Sequence, residues 1–389
     1  MARGSPVRIG VVAGEVSGDL LGAGLMRALK KRIPGVRFEG VCGDHMEAEG
    51  CKSMFPMEWL SIIGLMEAFG KFPQIRWMRN DLIKHFLSDP PDLFIGIDVP
   101  DFNLGLEKRL KAAGIATVHY VSPTVWAWRG YRIHKIKKAV DHMLALFPFE
   151  ARYYEEQNLP VTYVGHPLAD EIEEEVDRKT YRRLLELPVD KTIVALLPGS
   201  RKSELMRHAN LFIRTAMWLN RRNSGLHFVA PFASRETREI FKEAIKRNDA
   251  GGLPIALLDE HSRDAMAAAD IVLLALGTAT LEAALLERVM VVTYKLSFLN
   301  YWLLRGFVRI KLYSLPNILA GCEIVPELIQ IDAVPEKLGE KAEYYLRNPE
   351  KSKSVTEALR GIHRQLRRNA NEKAADAVLG VLRSQAGRA

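Results

Sequence analysis

The residues best placed for chemistry fall in four short stretches. In ALLPGSRKSEL (195–205), Pro198 and Gly199 turn the chain between an apolar run of strand length, 191–197, and a helix-like run, 202–219. Ser200 at that helix start would leave backbone N–H groups and the positive end of the helix dipole aimed at one spot, which is a seat for phosphate. Arg201 can grip two phosphate oxygens at once, and Lys202 adds charge. The plainer alternative is that Ser200 only caps the helix and Arg201 is solvated. In LGTATLEAALL (276–286), Gly277 and Thr278 form a second helix start able to face phosphate. Glu282 follows one turn inside the helix, where its carboxylate can accept two hydrogen bonds from a ribose diol. A Glu in an otherwise apolar helix is costly to bury without such a partner.

The third stretch, GIDVPDFN (96–103), ends a buried strand over 92–97. Open α/β sheets bind ligands beyond the carboxyl ends of their strands, which is where Asp98 falls as a candidate general base; the alternative is a hydrogen-bonded structural aspartate. Asp101 reads as the N-cap of a helix over 102–113. The fourth, GEVSGD (14–19), opens a helix running to about residue 31. It is not a dinucleotide fingerprint, and no phosphate-loop motif occurs in the chain. Glu15 and Asp19 would repel a pyrophosphate, whereas carboxylates and Ser17 suit sugar hydroxyls; alternatively Ser17 and Asp19 cap the helix, with Gly18 and Gly22 letting it approach the sheet. Asn317 in SLPNILAG (314–321) is expected in a loop facing the strand ends of the second half.

The elements that must position these residues alternate. Strand-like runs at 7–13, 36–41, 92–97, 117–121, 143–147 and 161–164 precede others at 191–197, 226–230, 255–258, 271–274 and 290–293, with helix-like runs between. This pattern predicts two α/β domains with parallel, doubly wound sheets, and 389 residues suffice for two cores. Residues 165–170, with His166 and Pro167, read as the linker; beyond 335 the chain reads as helices to its end. That tail could pack back across the domains or exchange with a second subunit in a homodimer.

Between 59 and 86 lies an apolar stripe: Ile62, Leu65, Met66, Phe69 and Phe72 share one helix face, and Pro73 starts a second helix carrying Ile75, Met78, Leu82 and Phe86. Trp77, Arg76, Arg79 and Lys84 lie beside it. Such a stripe fits either a buried core face or a helix lying in a membrane interface. A second apolar and basic stretch spans 298–311. The net charge of +8 suits anionic partners, whether membrane surface, phosphorylated substrate or nucleic acid, but no nucleic-acid-binding signature accompanies it. Three cysteines without Cys-x-x-Cys spacing indicate neither a disulfide framework nor a zinc site, and a reducing cytoplasm fits. No signal peptide or transmembrane segment is read.

Two α/β domains, a nucleotide-like site in the second and an acid-lined glycine loop in the first, with a cleft between them, describe a GT-B glycosyltransferase. The resemblance goes further. AGEVSGD, GIDVPDFN, HYVSPTVWAWR (119–129), PFE (148–150), GHP (165–167), LLPGSR, GTATLE and SLPNILAG, in this order, resemble the lipid-A-disaccharide synthase family over nearly the whole chain. That resemblance implies an inverting transfer of a 2,3-diacylglucosamine unit from UDP to 2,3-diacylglucosamine 1-phosphate. The products would be a β-1,6-linked disaccharide 1-phosphate and UDP. It implies a peripheral enzyme of the inner membrane's cytoplasmic face, without a metal or other cofactor and without nucleic acid. No Asp-x-Asp is found to hold a divalent ion, so charge on the leaving group would fall to Arg201 and the two helix starts.

Carried onto this chain, the resemblance puts Asp98 and Arg201 in the chemistry. Gly199, Ser200, Arg201, Gly277, Thr278, Ala279, Glu282 and Asn317 fall on the donor, and Gly14, Glu15, Ser17, Gly18, Asn103 and Trp128 on the acceptor sugar. The stripe from Ile62 to Met78 falls at the membrane. The expected domains are 1–165 for acceptor and membrane, 166–350 for the UDP-sugar, and a tail over 351–389. One departure is Leu276, where a serine is expected in many relatives. Another GT-B enzyme of UDP-N-acetylglucosamine, a lipid-linked acceptor transferase or a 2-epimerase, would share the Glu282 arrangement.

Overall fold

The computed structural model describes residues 6–61, 68–126, 130–296 and 312–386, and divides into two compact units. The first comprises residues 1–170 and 366–389, the second 171–365, so the chain leaves the first unit after Asp170 and returns to it at Leu366.

In the first unit seven parallel strands lie in the order β3-β2-β1-β4-β5-β6-β7. They are β1 (Arg8–Ala13), β2 (Arg37–Val41), β3 (Cys51–Ser53), β4 (Leu93–Ile97), β5 (Thr117–Tyr120), β6 (His142–Ala145) and β7 (Val161–Tyr163). The apolar runs at β1 and β4 are continuous because both faces of these central strands are covered, as parallel sheets require. Strand order reverses between β1 and β4, which pair from Ile9↔Leu93 to Ala13↔Ile97. This switch point opens a crevice at their carboxyl ends.

The helix Ala68–Ser88 runs through Pro73 rather than restarting there. Pro73 lies early in it, so its ring crowds only the carbonyl of residue 69, near the helix start. Met78, Leu82 and Phe86 are completely buried, and Phe86 meets Phe94 of β4 edge-on at 5.6 Å between ring centroids. This end of the stripe is therefore core and not membrane surface. Ile75 is half-buried; Ile62, Leu65 and Met66, and the side chains of Phe69 and Phe72, lie outside the description. Trp77 on the same helix is 54 % exposed and stands edge-on to Phe55.

The second unit repeats the design with the order β10-β9-β8-β11-β12-β13. Its strands are β8 (Thr192–Leu197), β9 (Leu226–Phe232), β10 (Ile255–Asp259), β11 (Ile271–Ala275), β12 (Met290–Tyr294) and β13 (Glu327–Ile329). The helix Lys202–Arg222 buries Leu205, Ala209, Phe212, Ile213, Ala216 and Leu219 against β8 and β9, at the i, i+3, i+4, i+7 spacing of an amphipathic helix. The switch point here lies between β8 and β11.

Candidate functional site

At the switch point of the first unit, Asp98 and Val99 follow β4 with φ of 52° and 42°. Two consecutive left-handed residues, one of them β-branched, are a strained turn that the surroundings must hold. The Asp98 amide donates to the Tyr120 carbonyl at 2.8 Å. The Asn103 amide group donates to the carbonyl oxygens of Asp98 at 2.8 Å, Ile97 at 3.3 Å and Val12 at 3.3 Å. The resemblance puts Asn103 on the acceptor sugar, but the side chain is fully buried and clamps the ends of β1 and β4 instead. Asp98 itself is half-buried, and among the described residues none hydrogen-bonds its carboxylate.

Gly14 reaches the same turn: a β-carbon on it would sit 2.4 Å from Val99 Cγ2. The glycine loop and the Asp98 turn are thus in direct contact, and only glycine permits it. Glu15 is the N-cap of the helix Val16–Arg32, and Glu15 and Ser17 are exposed while Gly18 is buried against Ile97. Asp19 is 2 % exposed and accepts from the amides of Gly43, His45 and Met46 at 2.9, 2.9 and 3.1 Å. It caps the start of the next helix, Asp44–Ala48, as a structural aspartate. Asp101 is not an N-cap either: the helix is Pro100–Ala112, capped by Val99, and Asp101 in its first turn pairs with Arg132. Trp128 lies outside the described residues.

Beneath this turn is a pair that sequence reasoning passed over. Glu107 Oε1 and His119 Nδ1 are 2.7 Å apart, both side chains fully buried. Burial pushes the Glu107 carboxyl up, opposed by His119. Gly96 makes room for it, since a β-carbon there would lie 2.1 Å from Glu107 Oε1. The signal was a Glu on the buried face of a helix opposite a His on a central strand, visible only once helix and strand are stacked.

The second unit gathers the other candidates. Pro198 to Arg201 follow β8, and Gly277 to Glu282 follow β11. The helix after the first loop begins at Lys202 with Arg201, not Ser200, as N-cap. The reason is Glu204, whose Oε2 accepts from the amides of Ser200 at 3.0 Å and Arg201 at 3.3 Å. A carboxylate of the chain itself thus fills part of the anion seat, and two of the N–H groups expected to be free are engaged. Gly199, at φ 129°, brings the loop so close that a β-carbon would lie 2.6 Å from Glu204 Cβ and Oε2. Ser200 and the Arg201 guanidinium are exposed.

Across the switch point, Gly277 and Thr278 are exposed, and a β-carbon on Gly277 would meet nothing within 4 Å. Here glycine leaves space in front of the helix Ala279–Leu285 and is not demanded by the backbone. Glu282 is largely buried, with its side chain 25 % exposed and Arg263 Nε at 3.9 Å. Desolvation raises its pKa, and Arg263 opposes the shift. Asn317 is placed differently from expectation. It lies in the helix Leu315–Ala320, fully buried, donating to the Val325 carbonyl at 2.9 Å and Glu327 Oε1 at 2.7 Å. Its oxygen accepts from the amides of Ile324 and Val325 at 2.8 and 3.0 Å. With every valence used inside the protein, Asn317 staples β13 to that helix and has no donor left for a nucleotide.

A family profile described as lipid-A-disaccharide synthetase matches residues 9–379. The chain belongs to the lipid-A-disaccharide synthase family. It is 50 % identical over 377 residues to a lipid-A-disaccharide synthase of Hahella chejuensis, covering 97 % of this chain and 95 % of the relative. It is 52 % identical over 378 residues to one of Pseudomonas syringae pv. tomato, covering 97 % and 98 %. The fold is shared with more distant solved structures. A UDP-GlcNAc 2-epimerase from Neisseria meningitidis aligns with a TM-score of 0.65 at 12 % identity, over 97 % of this chain and all of that one. Anabaena Alr3699/HepE, solved with UDP and glucose, aligns at 0.58 with 13 % identity over 96 % and 99 %. The protein is a glycosyltransferase of lipid A biosynthesis with a GT-B type of α/β fold in two units.

Proposed function

We propose that this enzyme condenses UDP-2,3-diacylglucosamine with 2,3-diacylglucosamine 1-phosphate through an inverting displacement in which Asp98 is the base. The acceptor 6-hydroxyl oxygen forms a bond to the donor's anomeric carbon as the bond from that carbon to the UDP oxygen breaks. The hydroxyl proton passes to the Asp98 carboxylate, and the electron pair leaves with UDP. The leaving group's charge is met by the Arg201 guanidinium and by the helix starts after β8 and β11, and Glu282 accepts from the ribose hydroxyls. Gly14, Glu15 and Ser17, packed against the Asp98 turn, face the acceptor sugar.

The observation that carries this reading is the strained Asp98–Val99 turn at a switch point, clamped by Asn103 and closed by Gly14. Strain held by so many partners is a feature of sites that must present one side chain in one direction. Substrates with acyl chains also give a use to the exposed apolar side chains beside the glycine loop, Val16 at 62 % and Leu20 at 52 % exposed, and to Trp77. They support peripheral attachment to the cytoplasmic face of the inner membrane; among the described residues no helix is long and apolar enough to cross a bilayer.

The test is turnover of the two substrates in detergent micelles by wild type and Asp98→Ala, with EDTA present. Disaccharide phosphate from wild type alone supports the reaction and the base together. Near-normal turnover by a folded Asp98→Ala enzyme removes Asp98 from the chemistry. UDP release with a different sugar donor and no disaccharide moves the protein to another GT-B reaction.

A further inference from the structure

We propose that His208 is a positioning residue for the donor phosphate loop, a strut that ties the end of β8 to the end of β12 across the end of β11. This rests on the reading above that Gly199 to Arg201 and Gly277 to Glu282 receive the phosphates and ribose of the donor.

His208 lies two turns into the helix Lys202–Arg222 and is 0 % exposed. Its Nδ1 is 2.9 Å from the Pro198 carbonyl oxygen, and the Lys295 amide donates to its Nε2 at 3.0 Å. A carbonyl can only accept and an amide N–H can only donate, so the two partners dictate the ring: neutral, with the proton on Nδ1. Pro198 is the residue before Gly199, and Lys295 follows the last residue of β12. In the sheet β11 lies between β8 and β12, so the imidazole bridges the two strand ends that flank the Gly277 turn. Tyr294 and Phe212 hold the ring plane, with centroids 5.1 and 6.4 Å from it.

A leucine would fill this position in the core but would leave the Pro198 carbonyl and the Lys295 amide without their buried partner. What the histidine adds is a fixed distance between the two loop ends. It also adds a response to acid. Burial lowers the basicity of the ring; Glu204 and the Pro198 carbonyl favour its charged form and Arg207 disfavours it. Tyr294 and the Lys295 backbone close the other side, and Arg201 lies in the same field. A proton on Nε2 would set N–H against the Lys295 N–H and release the end of β12.

The experiment is calorimetric binding of UDP to the full chain, together with donor and acceptor KM, at pH 7.5. The variants are His208→Leu, His208→Gln and Arg201→Ala. At pH 7.5, His208→Leu is expected to weaken UDP about tenfold, the equivalent of one lost buried polar pairing, with acceptor KM within about twofold. Glutamine offers one donor and one acceptor, so His208→Gln is expected within about threefold of wild type. UDP binding by His208→Leu equal to wild type, or equal losses in His208→Leu and His208→Gln, overturns the strut. If His208→Leu does not fold, a loss of UDP affinity of about tenfold or more in His208→Gln overturns the strut instead. Wild type that ignores UDP, or binds it unchanged after Arg201→Ala, overturns the donor-site reading on which the strut depends. Arg201-dependent binding with a silent His208 overturns the strut alone.

Discussion

At the scale of single residues, the proposed reaction asks the first unit for a base and the second for a grip on the donor. Asp98→Asn keeps the shape of the turn and removes the proton acceptor, so kcat is expected to fall about 10²- to 10⁴-fold with both KM values little changed, measured by steady-state kinetics. Glu282→Gln keeps one acceptor oxygen and loses the charge that concentrates on two hydroxyls. Donor KM should rise about tenfold and acceptor KM less than twofold, in line with the loss of a charge-assisted hydrogen bond. Both residues stand out as candidates in the chain itself, because a carboxylate directly after a buried apolar run, or inside an apolar helix, contradicts its surroundings. Asn317 and Asn103 carried no such contradiction. Each looked like a polar residue near a strand end, and only the folded chain reveals that backbone carbonyls take the donors of Asn103, and the Val325 carbonyl and the Glu327 carboxylate those of Asn317.

At the scale of elements, the turn after β4 is held from several sides, and its strain makes the clamp measurable. Asn103→Leu is expected to cost about 1–3 kcal/mol, the usual penalty for leaving buried carbonyls unpaired. It should also lower kcat more than it changes either KM, since the turn relaxes; urea unfolding and kinetics on the same preparation check both. The long strands could be read from continuous apolar runs and the helices from periodicity, whereas the two switch points emerge only from the strand order within each sheet. Of the three-residue edge strands, β7 was read at 161–164, whereas β3 and β13 were not. Helix starts were also misplaced, at Ser200, Asp101 and Pro73. A capping carboxylate such as Glu204 is recognised only by the amides it turns back to meet.

At the scale of the whole molecule, acid and salt act on different features. His166 follows β7, where Leu168 N–H donates to its Nδ1 at 3.2 Å, and burial lowers its pKa to about 4. A histidine held neutral in the fold but free to protonate when unfolded removes stability as pH drops below about 6.5, and by pH 5 this amounts to about 2 kcal/mol. His208 acts in the same direction, whereas the raised carboxyls of Glu107 and Glu282 relieve their own burial penalty on acidification. Replacing His166 by glutamine should therefore flatten the decline in urea midpoint between pH 7 and pH 5. The charge of +8 together with exposed Val16, Leu20 and Trp77 leads to a separate expectation for vesicles. Sedimentation with anionic lipid should be substantial at about 0.1 M salt and fall several-fold by about 0.5 M, leaving an apolar residue of binding.

The path of the chain also sets an order of assembly. The helix Ala370–Ala386 packs on the Val16–Arg32 helix, with Arg32 Nε 3.0 Å from Asp376 and a further pair to Glu372. Asp170 accepts from the amides of Asn369 and Ala370 at 2.8 and 2.6 Å. During synthesis at about 5–20 residues per second, the first unit waits on the order of 10–40 s after Asp170 leaves the ribosome for its closing helix. The second unit, continuous in sequence, has all of its strands before then. The usual amino-to-carboxyl order of maturation is therefore inverted here. A nascent chain arrested with residue 365 just emerged and the closing helix still inside the ribosome should carry a protease-resistant second unit joined to a first unit still open to cleavage.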